Sequence, residues 1–245
     1  MYYFAADTHL GLSSHGDGRE REKFFVRWLD EVAPTAKAIF LVGDIFDLWF
    51  EYKRVVPKGF TRLLGKLSEL ADRGVEIHFF TGNHDIWAFD YLASECGLVL
   101  HKSYEVFDLY GKKVFIGHGD VLGRRPFMSR LMSGFFRSRV AQWFFSTVHP
   151  GAGLRFGNWW SKSSRKAKPL KHEFRGEEET IVKFAREYLA DHPDTDLFVC
   201  GHIHCAAYYP LTDKTVIAFL GEWFESPVYG VLDEKGVFEL KPYDK

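Results

Sequence analysis

The sequence has few of the features that mark a secreted or membrane-spanning protein. Three cysteines occur in 245 residues and none forms a CxxC pair, so a disulfide scaffold is not expected. No apolar run approaches the roughly 18 residues that a membrane span requires. The first ten residues, MYYFAADTHL, contain no basic segment and become polar at Asp7, unlike a secretory signal peptide. We therefore expect a soluble, cytoplasmic protein.

Acidic residues are missing from one long segment in the middle of the chain. The whole chain has a net charge of −1, which argues against a globally basic nucleic-acid binder. Residues 121–172, however, contain eleven Lys and Arg and no Asp or Glu, which leaves 21 basic against 33 acidic residues elsewhere. We call residues 121–172 the insertion. Its charge indicates either a second task or an anionic partner.

Short β-type runs alternate with helical stretches through the first 120 residues. The pattern predicts strands over 2–7 and 38–44, a strand that runs into a loop over 76–85, and helices over 20–32 and 59–72. It also predicts a hairpin over 105–120 that ends in another loop. After the insertion it predicts a helix over 177–189, with Glu177, Glu178 and Glu179 in its first turn, and then closing strands. This order favours an α/β fold of one domain, residues 1–245, with residues 121–172 as an inserted helical lid.

Side chains of the types that bind metal ions follow the predicted strands, most of them beside glycines. Ligands at the carboxyl ends of neighbouring strands meet at one edge of an α/β sheet, so we expect these loops to converge. Carboxylate, imidazole and amide oxygen together suit Mn, Fe or Zn better than Ca. Two such ions about 3.5–4 Å apart clamp a phosphoryl group and activate a bridging water. The loops are Asp7-Thr8-His9, Gly43-Asp44-Ile45-Phe46-Asp47, Gly82-Asn83-His84-Asp85, Gly117-His118-Gly119-Asp120 and Gly201-His202-Ile203-His204.

In this order the loops resemble the calcineurin-like metallophosphoesterase family, and the resemblance spans residues 7–204. It implies an αββα sandwich of two sheets, which holds two divalent metal ions, usually Mn²⁺. It implies that Asp44 bridges both ions. The other implied ligands are Asp7, His9 and His204 for one ion, and Asn83, His118 and His202 for the second.

The same resemblance assigns roles to the residues beside the metal ligands. His84 matches the family's catalytic histidine, which stabilises charge or protonates the leaving oxygen. Asp85 matches the partner that orients this histidine, although it would serve equally as a cap of its loop. Asp47 and Asp120 follow metal ligands and would support them rather than bind the ions.

Within the family, GDIFDLW, GNHD and the basic, aromatic insertion look most like UDP-2,3-diacylglucosamine hydrolases. This implies cleavage of the pyrophosphate bond of UDP-2,3-diacylglucosamine to lipid X and UMP in lipid A biosynthesis. It also implies a peripheral position on the cytoplasmic face of the inner membrane. The residues it assigns to substrate binding are Asn83, His84, Ser161, Arg165, Lys168 and His202.

The insertion itself allows more than one interpretation. Its stretch 130–148 places apolar residues near one side of a helix, which would cover acyl chains or lie on an anionic bilayer. Alternatively, these aromatic residues simply pack on the sandwich. The spacing of Ser161, Arg165 and Lys168 suits one helix face that holds a sugar phosphate, but a solvated basic surface would have the same pattern.

Two differences from the best-known branch of these hydrolases leave the substrate open. That branch has Arg where this chain has His84, and an acidic pair where this chain has Arg124 and Arg125. One alternative is a soluble phosphodiesterase or phosphatase that acts on another nucleotide or on a phosphoprotein. A different class of alternative is a module that binds anionic lipid or nucleic acid and has a degenerate site, although the intact ligand set argues against it.

Overall fold

The structure is a computed structural model, and it describes residues 1–12, 17–124, 126–166 and 173–244. These residues contain eleven strands and seven α-helices. The strands are β1 (Tyr2–Ala5), β2 (Ala38–Val42), β3 (Glu76–Phe80), β4 (Val99–His101), β5 (Glu105–Leu109), β6 (Lys112–Ile116), β7 (Leu197–Cys200), β8 (Ala206–Pro210), β9 (Val216–Leu220), β10 (Val228–Leu232) and β11 (Phe238–Pro242). The helices are α1 (Gly18–Val32), α2 (Thr61–Asp72), α3 (Tyr91–Cys96), α4 (Phe127–Arg137), α5 (Arg139–Thr147), α6 (Pro150–Lys166) and α7 (Thr180–Asp191).

The strands form two sheets at the centre of the fold. The order of the first sheet is β11-β10-β1-β2-β3-β4, and that of the second is β5-β6-β7-β9-β8. Strands β1, β2, β3 and β4 run parallel to one another, as do β6, β7 and β9. The carboxyl ends of the parallel strands in each sheet therefore lie at one edge, where the loops predicted to bind metal begin.

Three apolar layers hold the sheets and helices together. Helices α1, α2 and α3 cover the first sheet through a core that includes Trp28 and Leu67. A second core, which includes Phe4 and Val199, fills the space between the two sheets. Helix α7 covers the second sheet, with Ile181 buried against it. The layers are thus helix, sheet, sheet and helix, which confirms the expected αββα sandwich.

The predicted helix over 177–189 is wrong at its beginning. Gly176–Glu178 form a separate 3-10 turn, and Glu179 has extended backbone, with ψ at 131°, so α7 begins only at Thr180. The carboxylate of Glu179 is buried and accepts hydrogen bonds from the backbone N–H and the Nε of Arg175. This contact fixes the turn before the helix, which the run of glutamates did not reveal.

The stretch 130–148 forms two helices and not one continuous helix. Ser138 is extended, with ψ at 130°, and its hydroxyl accepts a hydrogen bond from the backbone N–H of Ala141 at the start of α5. The break turns the apolar residues in different directions. Phe136 and Phe145 pack against Trp87 of the sandwich.

Most of the large apolar side chains of the insertion are exposed and do not pack on the sandwich. Trp143, for example, is 62% exposed, a value that a core residue never approaches. None of the helices in the described ranges has the length and apolar character needed to cross a bilayer. The exposed apolar side chains are Phe127, Met128, Leu131, Met132, Phe135, Val140, Trp143, Phe144, Val148, Phe156 and Trp159.

Candidate metal centre

The loops at the carboxyl ends of β1, β2 and β7 have unusual backbone conformations. Seven non-glycine residues in the described chain have left-handed φ angles, and five of them are predicted metal ligands. Such conformations cost free energy for residues other than glycine and persist where the surroundings enforce them. The five residues, with φ between 42° and 73°, are Asp7, His9, Asp44, His202 and His204.

Four of the predicted ligands form one compact cluster. Asp7, His9, Asp44 and His204 each offer an atom within 4.8 Å of the others. The Nε2 atom of His9 lies 3.1 Å from Nε2 of His204 and 3.7 Å from Oδ1 of Asp7. Its distance to Oδ2 of Asp44 is 3.8 Å. Residues separated by nearly 200 positions in the chain thus converge on one point, as expected.

His118 joins this cluster from β6. Its Nδ1 lies 2.9 Å from the carbonyl oxygen of Val42, which can only accept, so Nδ1 carries the proton and Nε2 is left as the ligand atom. That Nε2 lies 3.3 Å from Oδ2 of Asp44. The carboxylate of Asp44 therefore lies between His9 and His118, which is the position a bridging ligand requires.

The charges of the cluster support one another electrostatically. Burial would raise the pKa of Asp44, but the imidazoles of His118, His84 and His9 outweigh burial and hold that pKa well below its ordinary value. Burial would lower the pKa of His118, but the carboxylates, Asp44 first, hold it well above its ordinary value. The carboxylate of Asp44 is therefore ionised throughout the physiological pH range.

Two buried atoms of the cluster make no hydrogen bond within the described part of the chain. They are Oδ1 of Asp7 and Nε2 of His118. A buried polar atom that makes no hydrogen bond costs free energy, and a divalent cation would satisfy both atoms. Carboxylate and imidazole donors are those that Mn, Fe and Zn accept, so the residues fit the expected metal ions.

A second group consists of His9, Asp47 and His84, whose ligand atoms also lie within 4.8 Å of one another. The Nδ1 of His84 lies 2.8 Å from the backbone carbonyl oxygen of Asp47, so it donates a proton there. The ring of His84 stands edge-on to that of His9, with centroids 4.8 Å apart. The remaining ring nitrogen, Nε2, is then the atom that can reach a substrate.

Asp85 has the contacts of a loop cap. Its buried carboxylate accepts hydrogen bonds from the backbone N–H groups of Gly82 at 2.7 Å and Ile45 at 2.9 Å, with longer ones from Asp44 and Phe46. These bonds join the two ligand loops that follow β2 and β3. Of the two roles that the sequence left open for Asp85, they favour the cap, because the carbonyl of Asp47 orients His84.

His202 and Asn83 complete the predicted ligand set. The backbone N–H of His202 donates to Oδ2 of Asp7 at 2.9 Å, and its ring lies 5.2 Å from that of His118. His202 is solvent-exposed, which leaves it accessible to a metal ion. Asn83 is exposed and directly precedes His84, whose backbone N–H donates to Asp44.

Glycines let the ligand loops approach one another closely. A Cβ atom on Gly201 would lie 2.6 Å from Oδ2 of Asp7, and one on Gly82 would overlap the carboxylate of Asp44. No real Cβ atom is found so close to another heavy atom. The glycines beside the ligands in the sequence are therefore needed for close packing of backbone against carboxylate, as expected from the motifs.

The family model for Calcineurin-like phosphoesterase matches residues 2–206, which contain every predicted ligand. The chain belongs to this family. Membership confirms the resemblance seen in the motifs and the expectation that the protein is a hydrolase. The family implies divalent metal ions, for which the carboxylate and imidazole cluster is the candidate site.

Several similar proteins are hydrolases that are named after one substrate. It is 40% identical over 244 residues to a UDP-2,3-diacylglucosamine hydrolase of Porphyromonas gingivalis, covering 94% of this chain and 93% of the relative. A hydrolase of the same name from Hahella chejuensis is 28% identical over 243 residues, covering 97% and 95%. Among solved structures, a dimetal phosphatase from Danio rerio has a TM-score of 0.49 at 14% identity, covering 98% and 95%.

The predicted substrate residues of the insertion fall largely beyond what the structure describes. Lys168 lies outside the described residues. Ser161 and Arg165 belong to α6, but their side chains are also outside the description.

The sequence pattern does not reveal that one further loop of this phosphoesterase lies beside the candidate metal centre. Residues 221–227 follow β9, and the ring of Phe224 lies 5.9 Å from that of His204 and 6.2 Å from that of His9. The loop contains no histidine and no aspartate, so it has no ligand motif. Its place beside the cluster follows from the pairing of β9 with β7, which the sequence does not show.

Proposed function

We propose that this phosphoesterase hydrolyses the pyrophosphate bond of UDP-2,3-diacylglucosamine and releases lipid X and UMP. The observation that carries the proposal is the 40% identity, over nearly the whole length of both chains, to a relative with that name. The convergence of the carboxylate and imidazole ligands supports the same reaction class.

We propose that two Mn²⁺ ions occupy the candidate centre. Asp7, His9 and His204 would hold one, Asn83, His118 and His202 the second, and Asp44 both. When bound, the ions would activate a water molecule and neutralise charge on the phosphoryl group. His84 would contact the substrate through Nε2, where it stabilises charge or protonates the leaving oxygen, and the carbonyl of Asp47 would orient its ring.

We infer that the insertion, residues 121–172, is a lid that contacts the lipid part of the substrate. Its exposed apolar side chains would meet acyl chains, and Ser161, Arg165 and Lys168 would hold the sugar phosphate together with Asn83, His84 and His202. Exposed cations such as Arg139 next to Val140 suit an anionic bilayer. We therefore propose a peripheral position on the cytoplasmic face of the inner membrane.

Hydrolysis of two substrates by the manganese-reloaded protein tests the proposed reaction. UDP-2,3-diacylglucosamine and bis-p-nitrophenyl phosphate are compared in the same detergent, and UMP is measured by chromatography. We expect UMP release from the lipid and a strong preference for it. Hydrolysis of the small diester alone would reject the lipid substrate and favour a phosphodiesterase that acts on another nucleotide.

Flotation with lipid vesicles tests the proposed membrane contact. The triple variant Leu131→Ser, Phe135→Ser and Trp143→Ser is compared with the wild-type protein and with Tyr208→Ser, which changes an exposed aromatic residue on β8. We expect the wild type and Tyr208→Ser to bind vesicles of phosphatidylglycerol, and the triple variant to lose this binding. Equal binding by all three proteins would reject the insertion as the membrane contact.

A further inference from the structure

The loop of residues 221–227 passes beside the candidate metal centre as it crosses between the two sheets. Strand β9 lies next to β7 and runs parallel to it, so the loop leaves the second sheet at the same edge as the His202 and His204 loop. It then enters β10, which pairs with β1 in the first sheet. Because Asp7 follows β1, the loop adjoins the part of the cluster formed by Asp7 and His204.

Two buried side chains hold this loop in one conformation. The carboxylate of Glu222 accepts hydrogen bonds from the backbone N–H groups of Phe224, Glu225 and Ser226. Trp223 is buried in the core beneath α1, and its backbone N–H donates to the carbonyl oxygen of Asp7 at 3.3 Å. The position of Phe224, which directly follows these two anchors, is therefore defined before any substrate binds.

Phe224 presents a half-buried aromatic ring next to two metal ligands. Its ring is tilted by 77° from that of His204 and by 57° from that of His9, at centroid distances of 5.9 and 6.2 Å. An aromatic ring at the border of a polar, anionic cluster cannot assist the phosphoryl chemistry. Its chemistry suits contact with a flat, apolar part of a bound substrate.

The insertion contacts a different part of the site. Trp87, which follows the His84 loop, donates from Nε1 to the carbonyl oxygen of Phe136 in α4 at 2.8 Å. Phe50, which follows the Asp47 loop, packs against Phe145 of α5 with centroids 4.6 Å apart. The lid thus adjoins the loops of Asp47 and His84, whereas Phe224 adjoins His204. A diphosphate has one substituent at each end, and these two regions would each receive one.

We propose that Phe224 stacks against the nucleobase of the nucleotide part of the substrate. This assignment rests on the proposed function, in which the diphosphate joins a nucleoside to an acylated sugar. The acylated sugar would lie under the insertion, and the nucleoside is then directed toward residues 221–227. Phe224 acts in specificity and has no part in the chemical step.

Binding of two small phosphates tests the proposal. The manganese-loaded enzyme is titrated calorimetrically with UMP and with ribose 5-phosphate, which lacks the base. We expect Phe224→Ala to weaken UMP binding about ten-fold, while binding of ribose 5-phosphate changes less than about two-fold. Phe224→Tyr preserves a stacking surface and should restore most of the UMP affinity. Tyr208→Ala, on exposed β8, is the matched control and should bind both phosphates as the wild type does.

Several results would overturn the assignment. Unchanged UMP binding in Phe224→Ala, or equal weakening for both phosphates, would show that Phe224 does not contact the base. The assignment would also fail if the wild-type enzyme bound UMP no more tightly than ribose 5-phosphate. The proposed reaction has its own readout, the release of UMP from UDP-2,3-diacylglucosamine. If no UMP is released from the lipid but the enzyme still prefers UMP to ribose 5-phosphate through Phe224, the lipid substrate is rejected and the nucleobase contact is kept.

Discussion

At the scale of single residues, the candidate ligands combine strained backbone with buried charge. Asp7, His9 and His204 all have left-handed φ angles, each of which costs on the order of 1–2 kcal/mol outside glycine. They also bring carboxylate and imidazole groups together inside the protein, with Asp7 and His9 fully buried. Such a site reduces the stability of the empty protein, so metal binding should be coupled to folding.

Replacing one ligand should remove metal and activity together. His204→Ala deletes the Nε2 atom that lies 3.4 Å from Oδ1 of Asp7. We expect fewer bound Mn²⁺ ions per chain and a fall in hydrolysis of at least about 100-fold. Metal content is measured by atomic emission and activity with bis-p-nitrophenyl phosphate. His192→Ala, an exposed histidine stacked on Tyr188, is the control. Normal metal content in His204→Ala would contradict the ligand assignment.

Gly82 should tolerate no side chain. A methyl group at this position would overlap the carboxylate of Asp44 and lie 2.7 Å from its backbone nitrogen. We expect Gly82→Ala to lower the free energy of unfolding by about 1–3 kcal/mol and to reduce bound metal. Gly65→Ala, in α2 where nothing lies within 4 Å, should instead be neutral or stabilising by up to about 1 kcal/mol. Urea unfolding measures both, and equal stability of the two variants would contradict the close packing.

At the scale of secondary-structure elements, the insertion is tied to the sandwich by a small number of contacts. Arg137, the last residue of α4, pairs with the buried carboxylate of Asp120 at 2.9 Å. Asp120 follows His118 by two residues, so this pair links the insertion to a candidate ligand loop. The hydrogen bond between Trp87 and Phe136 lies one residue away from Arg137. Apart from Phe136 and Phe145, the remaining surface of α4 and α5 is largely exposed, so these contacts hold the insertion on the sandwich.

Removal of the ion pair between Arg137 and Asp120 should loosen the insertion. Arg137→Ala leaves the carboxylate of Asp120 buried without its partner, which we expect to cost about 1–3 kcal/mol. Amide hydrogen exchange in α4 and α5 should then become faster, while exchange in β1 and β2 stays the same. Arg139→Ala, at an exposed position on α5, is the matched control and should leave exchange unchanged. If both variants exchange alike, the ion pair does not hold the insertion in place.

At the scale of the whole molecule, two histidines lie where the edges of the two sheets meet. Nδ1 of His78 in β3 is 2.9 Å from Nε2 of His101 in β4, and Phe107 of β5 packs edge-on against His78. Burial lowers the pKa of both histidines, although the nearby carboxylates of Glu76 and Glu105 oppose it. The folded protein therefore holds both rings neutral and disfavours their protonation.

This arrangement should make the whole fold sensitive to mild acid. Below the ordinary histidine pKa of 6.5 the unfolded chain binds more protons than the folded one, so the free energy of unfolding falls as the pH drops. Above that pH the two rings are neutral in both the folded and the unfolded chain, so no stability is lost through them. Urea unfolding of the metal-free protein at about pH 7.5 and pH 5.5 measures the loss. His101→Gln removes one titrating ring, while the new amide can still form a hydrogen bond with His78. The free energy of unfolding of this variant should therefore fall less on acidification than that of the wild type. An equal fall in the free energy of unfolding of both proteins would show that His78 and His101 do not cause the acid sensitivity.

Much of the fold and most of the candidate centre could be predicted because they depend on local patterns. The hairpin over 105–120 and the strands before each ligand loop follow from periodicity and turn residues. The break at Ser138 could not be predicted, because the apolar spacing continues through it and only packing of Phe136 and Phe145 decides the directions of α4 and α5. Short edge strands such as β4, only three residues long, likewise form because a neighbour pairs with them.

The sequence by itself determined the family, the layer order and the residue types at the candidate metal centre, because a ligand motif after a strand is local information. Only the tertiary structure decided what lies around that centre. It gave Asp85 the contacts of a loop cap, since four backbone N–H groups from two loops converge on its carboxylate. It also brought Phe224 beside His204, because β9 and β7 are neighbours in the sheet though not in the chain. Long-range strand pairing carries that information, and no motif records it.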